Sequence, residues 1–333
     1  MSHSFPLHSR FIVSESQDPF WNLSKEEQLL NALDPETGIL FVYRNCPSVV
    51  IGKHQNPWAE CWTTKLLTSD VKLVRRNSGG GTVFHDAGNL NFSFIVPKEY
   101  YNVSQHFELI LETLRRQGLS AELNSRNDLV MEGFKFSGSA FCYRKKTVCH
   151  HGTLLITSDL ERMNRLLKKN DGLICSHAIR SRSSSVRNLS SWKCGLTVDA
   201  VVAELAHTFK ERANADISVC REEKTNEGSV FQELYQKYSS WEWIFGKTPE
   251  FLLTLDVVGK FLNMRVAEGK VQAIFSEEKR EGSLTFLDCR FSPDALRKRI
   301  QILTDEEKAF FILETVLENL EETVFGKPEH HAN

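Results

Sequence analysis

Apolar positions recur along the chain at intervals of two and of three to four, and the two spacings alternate. ILFVYR (39–44), SVVIG (48–52), VKLVRR (71–76) and LNFSFIV (90–96) are short β-branched and aromatic runs that predict strands. Ser24 and Glu27 have capping-box spacing and predict a helix over 24–31. In SQHFELILETLRRQG (104–118), Phe107, Ile110, Leu111 and Leu114 share one face and Gly118 ends it, so a helix is predicted. A strand-rich stretch follows from Ala121 to Ile156, with helices predicted over 159–169 and 197–211. After Lys247-Thr248-Pro249 the pattern changes. FLLTLDVV, LNMRV, VQAIFS and LTFLDCRF read as short strands, and Ala267–Lys270 reads as a hairpin turn. Ser292-Pro293 and the Thr304/Glu307 pair read as helix starts. Phe310, Leu313, Val316, Leu317 and Leu320 form the packed face of a last helix. The predicted organisation is one domain over 1–247 and a small α/β domain over 248–333, with Trp241 and Trp243 packing in the core or at the junction.

Composition narrows the class. The 333 residues are 41% hydrophobic and 25% charged, which is ordinary for a globular protein. Lysine and arginine number 41 against 43 acids, so no bulk charge marks a nucleic-acid partner. No apolar run approaches the roughly 20 residues of a membrane span. The eight cysteines include no CxxC pair and predict free thiols in a reducing compartment. The N-terminus lacks an apolar signal core. Its Arg10, Glu15 and Asp18 make a poor presequence.

The chemistry concentrates between residues 75 and 153. In RRNSGGGTVFHDAGNLN, Gly79, Gly80 and Gly81 follow a strand where glycine has no packing value. They make sense where backbone approaches a ligand and presents N–H groups to it. Arg75 and Arg76 have opposite orientations on the strand, so one can face the ligand while the other braces or stays exposed. Neither the P-loop nor the GxGxxG spacing is present. Lys135 interrupts an apolar strand just before the small residues Ser137–Ala140. It is either an edge gatekeeper or a cation held over a substrate. Asp128 has the chemistry to hold an ammonium, a hydroxyl or a divalent metal. His150 and His151 alternate across a strand, which disfavours a shared metal and favours structural or hydrogen-bonding roles.

These blocks carry a resemblance. RRNSGGGTVFHDAGNLNFSF, with SVVIGKHQNPWAE before it and RNDLV, KFSGSA and HHGTLL after it, resembles the lipoate-protein ligase A and lipoyltransferase family over about residues 12–250. SSWEWIFGKTPEF looks like that family's boundary between catalytic and accessory domains. The resemblance implies an α/β fold: a biotin/lipoate-protein ligase-like catalytic domain with mixed sheets, plus a small C-terminal α/β domain. It implies ATP and Mg²⁺, with lipoic acid as substrate and lipoyl-AMP as intermediate. The implied partners are apo lipoyl domains of 2-oxoacid dehydrogenase E2 subunits and the glycine-cleavage H protein, with no nucleic acid and no membrane.

Residue by residue, the resemblance places Arg76, Ser78, Gly79, Gly80 and Gly81 along an acyl and adenylate tunnel flanked by His85 and Asn89. It places Asn127 and Asp128 near the phosphates, with Asp128 by any magnesium ion. Lys135 matches the family's essential lysine. Gly138, Ser139, Ala140, His151 and Thr153 complete the nucleotide and dithiolane pocket.

The family's adenylate loop is altered here to HAIRSRSSSVRNL (177–189), where Arg180, Arg182 and Arg187 are candidates for phosphate contacts and the loop for a lid. That departure opens an alternative, a lipoyltransferase that uses pre-formed lipoyl-AMP. An octanoyl-carrier transferase, whose cysteine nucleophile neither Cys142 nor Cys149 matches in position, and a non-enzymatic lipoate-binding protein are less favoured. A tunnel recognising methylenes predicts use of both lipoate and octanoate. Arg144-Lys145-Lys146 is either a docking turn for acidic acceptor domains or a solvated hairpin tip. A monomer is expected, in a bacterial cytosol or, for a eukaryotic source, a mitochondrion.

Overall fold

In a computed structural model, residues 5–6, 8–168, 172–213, 218–222, 228–257, 260–276, 288–302 and 315–326 are described. The first strand, β1 (His8–Ser14), was not predicted from its pattern. Phe11 and Ile12 are both fully buried, in cores on opposite faces of a sheet, so period-two alternation disappears. Helix α1 (Pro19–Asn31) starts at Pro19 and not at Ser24. Asp18 caps it by accepting from Phe20 N, and proline takes the first turn. Ser24 Oγ instead donates to Phe20 O inside the helix, and Glu27 is engaged elsewhere.

β2 (Thr37–Tyr43) and β3 (Ser48–Ile51) follow, then the short helices α2 (Pro57–Glu60) and α3 (Thr63–Leu67), and β4 (Lys72–Arg75), β5 (Val83–His85) and β6 (Asn89–Pro97). α4 (Val103–Arg116) is the predicted amphipathic helix, capped by Asn102, with Phe107, Ile110 and Leu114 buried. Gly118, at φ 77°, supplies the left-handed residue after it. The strand-rich stretch resolves into β7 (Glu122–Leu123), β8 (Leu129–Met131), β9 (Phe134–Ser137), β10 (Ser139–Tyr143) and β11 (Thr147–Leu155). α5 (Leu160–Leu166), β12 (Ile174–Ser176), α6 (Val198–Ala213), β13 (Ser218–Glu222) and α7 (Gly228–Ser239) complete the first part.

The central sheet runs β10-β11-β6-β2-β1-β13 and is mixed: β1 is parallel to β2 and β13, while the β2–β6–β11–β10 side is antiparallel. α4 and α6 cover one face through Phe107, Ile110, Val201 and Leu205. α1 and α7 cover the other through Trp21, Leu30 and Phe231. Two three-stranded sheets, β4-β3-β5 and β7-β8-β9, flank it.

β14 (Phe251–Val257), β15 (Lys260–Ala267), β16 (Lys270–Ser276) and β17 (Cys289–Arg290) form an antiparallel sheet, followed by α8 (Pro293–Ile302) and a helical segment over 315–325. The predicted hairpin turn is present: Ala267 pairs with Lys270, and Glu268 and Gly269 lie at φ 51° and 69°. The Thr304/Glu307 cap, Phe310, Leu313 and the first part of LTFLDCRF lie outside the described residues. Val316, Leu317 and Leu320 are buried.

The expected division at 247/248 falls between the π-helical turn Glu242–Gly246 and β14. Strand pairing, core packing and hydrogen bonds cross it. β12, from the first segment, pairs antiparallel with β14 as the outer strand of the C-terminal sheet. Trp58 packs against the rings of Phe245, Phe251 and Phe291 at 5.3, 5.5 and 5.2 Å. One apolar cluster therefore holds both parts.

Candidate active site

A cavity of about 260 Å³ opens between the central sheet, the two small sheets, α1 and the 181–184 loop. Leu23, Tyr43, Val50, Val83, His85, Asn91 and His151 line it, as do Arg126, Asp128, Lys135, Arg182 and Ser184. Arg76, Gly81, Thr82 and the small residues Gly138–Ala140 and Gly152–Thr153 complete the wall. The lining thus sets several cations beside apolar side chains, a composition suited to a ligand that is part apolar and part anionic.

The paired arginines behave as alternation requires, but neither is exposed. Arg75 turns away and is fully buried as a brace. Arg76 turns inward, where its Nη2 donates to Gly79 O at 2.6 Å and Gly81 O at 2.7 Å, and its Nη1 to Val50 O at 3.1 Å. It therefore shapes the glycine loop while lining the cavity. Burial draws the Arg76 pKa down to about 10, with Tyr43 and Glu26 opposing, so it stays charged at neutral pH. Gly80 has φ 85°, a conformation few other residues accept. Gly52, in the facing loop, is needed for space: a Cβ there would lie 2.3 Å from Gly80 O.

His151 faces this loop, with Nε2 2.6 Å from Ser78 Oγ and Nδ1 3.0 Å from each Glu26 carboxylate oxygen. Glu26 is buried, yet its pKa is lowered: burial alone would raise it, and His151, the Ser93 hydrogen bond and the Arg76 charge together outweigh that. An ionised carboxylate only accepts, so His151 Nδ1 carries a proton toward it. Cys149 Sγ lies near both groups.

His150 points the other way. It stacks on His106, Phe94 and Phe141 behind the sheet, its Nδ1 3.3 Å from His106 Nδ1. Neither histidine reaches the cavity, but Ser139, at the cavity wall, is 3.1 Å from His150 Nε2.

These buried imidazoles predict acid lability. Burial pushes His85 and His106 down from 6.5 to about 3, and His150 well below its ordinary value. Folded, they stay neutral; unfolded, they take up protons below pH 6.5. Their contribution is complete above 6.5 and is lost as pH falls toward 3, at roughly 1 kcal/mol per histidine between pH 7 and 5.5. Urea unfolding at a series of pH values is expected to give a slope near pH 5.5 corresponding to uptake of about three protons. A slope near zero there would show that these histidines titrate alike in both states.

Lys135 lies on β9, and its Nζ donates to Asp128 Oδ1 at 2.7 Å. Gly138 leaves room for it, since a Cβ there would come 3.1 Å from Nζ. Asp128 is aimed by the turn before β8: Asn124 Oδ1 accepts from Arg126 N and Asp128 N, and Asn127 takes φ 61°. The gatekeeper alternative for Lys135 does not hold, because its strand edge is covered. Lys135 N donates to Ser185 O and Arg187 N to Lys135 O, so the 185–187 segment runs alongside β9.

Ser181 secures the loop's other end. Its Oγ accepts from Thr82 N and from Gln55 Nε2, and its N donates to Glu60. Of the three candidate arginines, Arg182 alone lines the cavity. Arg180 donates to Ala59 O and Ile174 O. Arg187 lies 3.7 Å over the Phe134 ring and pairs with Glu132.

Arg76, Gly81, His85, Asp128, Lys135, Gly138, Ser139, Ala140, His151, Thr153 and Arg182 all line the cavity. Ser78, Gly79, Gly80, Asn89 and Asn127 do not line it. Ser78 and the two glycines stand behind Arg76, Asn127 shapes the turn, and Asn89 Nδ2 donates to Asn91 Oδ1. Asn91 reaches the cavity instead, a residue that period-two spacing from Asn89 could have shown. Leu23, Tyr43 and Val50 carry no signal, because an apolar wall residue reads as core. Glu26 is invisible too, lying 125 positions from His151. The Cys142 and Cys149 thiols are both raised by burial and neither lines the cavity, which disfavours a cysteine nucleophile.

The profile of the lipoyl protein ligase A/B catalytic domain matches residues 18–210. Lipoate-protein ligase A of Psychrobacter cryohalolentis is 33% identical over 283 residues, 80% of this chain and 83% of the relative. That of Bdellovibrio bacteriovorus is 36% identical over 273 residues, 79% of this chain and 80% of the relative. Among solved structures, P. falciparum LipL1 in complex with lipoate is similar at TM-score 0.64 and 27% identity, covering 93% of this chain and 99% of that one. A lipoate-protein ligase A bound with ATP has TM-score 0.60 and 26% identity, over 71% and 98%. The bipartite lipoate protein ligase of Thermoplasma acidophilum, described with its E2 lipoyl domain, has TM-score 0.61 and 25% identity, over 72% and 96%.

Proposed function

Because the chain belongs to the lipoyl protein ligase A/B catalytic-domain family, we propose that it activates lipoate with ATP and passes the lipoyl group to a lysine of an acceptor lipoyl domain. The observation that carries this reading is Lys135, held by Asp128 at 2.7 Å beside a cavity with an apolar wall. Solved relatives described as bound to lipoate and to ATP support both ligands.

A carboxylate is a poor electrophile because its leaving group would be oxide. In the first step a carboxylate oxygen of lipoate attacks the α-phosphorus of ATP, and the bond to the β-phosphate breaks, releasing pyrophosphate. Anions must approach one another, so Lys135 acts as a fixed positive charge between the carboxyl oxygen and the α-phosphate. Arg182 and Arg126 add charge nearby. The acyl chain lies along Val50, Val83 and Leu23, each buried methylene contributing about 0.8 kcal/mol. In the second step the neutral ε-amine of the acceptor lysine attacks the carbonyl carbon. The C–N bond forms, AMP leaves, and the amine proton passes to solvent. Octanoate should follow the same course.

Magnesium fits as a one-carboxylate site. Asp128, the one carboxylate lining the cavity among the described residues, would hold it. When bound there, the ion would supply shielding of the phosphate charge.

One observation favours a second reading, transfer from pre-formed lipoyl-AMP without activation: two of the three loop arginines are committed away from the cavity. Pyrophosphate release by purified protein with ATP, Mg²⁺ and lipoate decides between them. A burst without acceptor, then AMP release on adding an apo lipoyl domain, is expected of a ligase. No pyrophosphate, with rapid modification from supplied lipoyl-AMP, would leave the transferase.

For docking, 144–146 is the turn joining β10 and β11, but Arg144 is tied to Glu27 at 2.9 Å. Lys145 and Lys146 are therefore the informative pair. Lys145→Glu with Lys146→Glu is expected to raise KM for acceptor about tenfold and leave pyrophosphate release unchanged. Equal loss in both half-reactions would remove the turn from docking.

A further inference from the structure

Three consecutive glycines have no side chains with which to anchor themselves, so the position of residues 79–81 depends on what holds the residues before them. Asn77 and Ser78 stand directly before the glycines, and consecutive carboxylates of α1 reach both. Ser78 is reached through His151, whose other nitrogen is on Glu26. Asn77 is reached directly: its Nδ2 donates to Glu27 Oε1 at 3.0 Å. Successive helix residues point about 100° apart, which lets one turn of α1 grip the loop from two sides.

Glu27 is itself firmly placed. It is 8% exposed. Its Oε1 also accepts from Arg144 Nη2 at 2.9 Å, while Oε2 accepts from Lys237 Nζ at 2.6 Å and Tyr238 OH at 2.7 Å. A carboxylate held by two cations and a phenol cannot wander. The single bond it offers Asn77 is therefore a fixed reference for the loop, and it connects that loop to the basic turn at Arg144.

We propose that Glu27 is a positioning residue for acyl-chain binding, acting through Asn77 to set the Ser78–Gly81 loop that Arg76 clasps at the cavity wall. It touches no cavity surface itself; its effect is on where Arg76 and Gly81 stand. The inference rests on the reading of this cavity as the lipoate site.

The test is calorimetric titration of lipoate into the full chain without ATP, with melting temperatures alongside. Asn77→Ala is expected to raise Kd about tenfold, the loss of one charge-assisted hydrogen bond, with the melting temperature lowered no more than in Tyr238→Phe. Glu27→Ala should raise Kd by the same factor and also lower the melting temperature, because Lys237 and Arg144 lose their partner. The double variant should bind no worse than Glu27→Ala. Tyr238→Phe should lower the melting temperature and leave Kd alone. Wild-type affinity in Asn77→Ala, or additive losses in the double variant, would overturn the inference. If Glu27→Ala does not fold, Asn77→Ala decides the matter alone. Failure of the wild-type chain to bind lipoate would overturn the proposed function, and this inference with it.

Discussion

Lys135→Met is expected to slow acyl-adenylate formation by about 10²- to 10³-fold while the protein stays folded. Lys135 is 28% exposed at its side chain, and methionine keeps most of the stem that passes Gly138. What disappears is the charge. In wild type Asp128 is balanced by Lys135 at 2.7 Å, with Arg126 Nε at 3.7 Å. Without Lys135 that carboxylate faces arriving phosphates with a weaker counterion, so the variant both loses an attraction and gains a repulsion. Two readings separate these effects. Burst-phase pyrophosphate release should fall in kcat more than KM for lipoate rises, because the lost charge acts on the transition state. Adding Asp128→Asn removes that repulsion but also the carboxylate proposed to hold magnesium, so part of the rate is expected back only with Mg²⁺ raised well above what saturates the wild type. A decrease of less than about threefold with ATP and lipoate saturating would remove Lys135 from the chemistry.

Arg75→Met is expected to cost about 3–5 kcal/mol of stability, the largest loss we predict for a single side chain. Arg75 is fully buried, and its guanidinium donates to the carbonyls of Gly52, Lys53, Gln55, Trp243 and Ile244 and to Thr248 Oγ1, at 2.6–3.2 Å. Burial draws its pKa down to about 10, so it remains charged at neutral pH. Truncation would orphan these acceptors together, and they come from two places. One is the Gly52–Gln55 loop, which faces Gly80. The other is the Trp243–Thr248 segment, where Trp243 Nε1 returns a bond of 2.7 Å to Arg75 O. Arg75→Lys should fare little better, because three ammonium donors do not span the planar fork. Urea unfolding of both variants would test this. A loss below about 1 kcal/mol would mean water replaces the guanidinium, so that the brace is dispensable.

The elements read well where one period dominated. α4 and the strand at 90–96 were legible because one has a clear apolar face and the other an unbroken apolar run. α1 misled because Ser24–Glu27 imitates a start signal. Asp18-Pro19 was the actual start, and Glu27 has tertiary partners instead. β1 was missed because burial on both faces erases alternation. At the site, the glycine run with Arg75 and Arg76 was legible from the residues, whereas Lys135, Asp128 and His151 each left a structural alternative open and were placed by the resemblance, because one charged or ring side chain can serve a fold or a ligand equally.

What the sequence determined by itself was the inventory of local signals. The glycine run, the alternation of Arg75 and Arg76, the opposed faces of His150 and His151 and the hairpin at 267–270 all follow from backbone geometry within a few residues. Tertiary structure alone decided the partners. Glu26 meets His151 and Glu27 meets Asn77 across 125 and 50 positions, Arg182 reaches the cavity where Arg180 and Arg187 do not, and β12 joins a sheet that begins after residue 250. A charged side chain can bond many acceptors of similar strength, so its own sequence neighbourhood leaves the choice open. Packing makes that choice by burying one arrangement in which groups such as Arg75, Glu26 and Glu27 are paired.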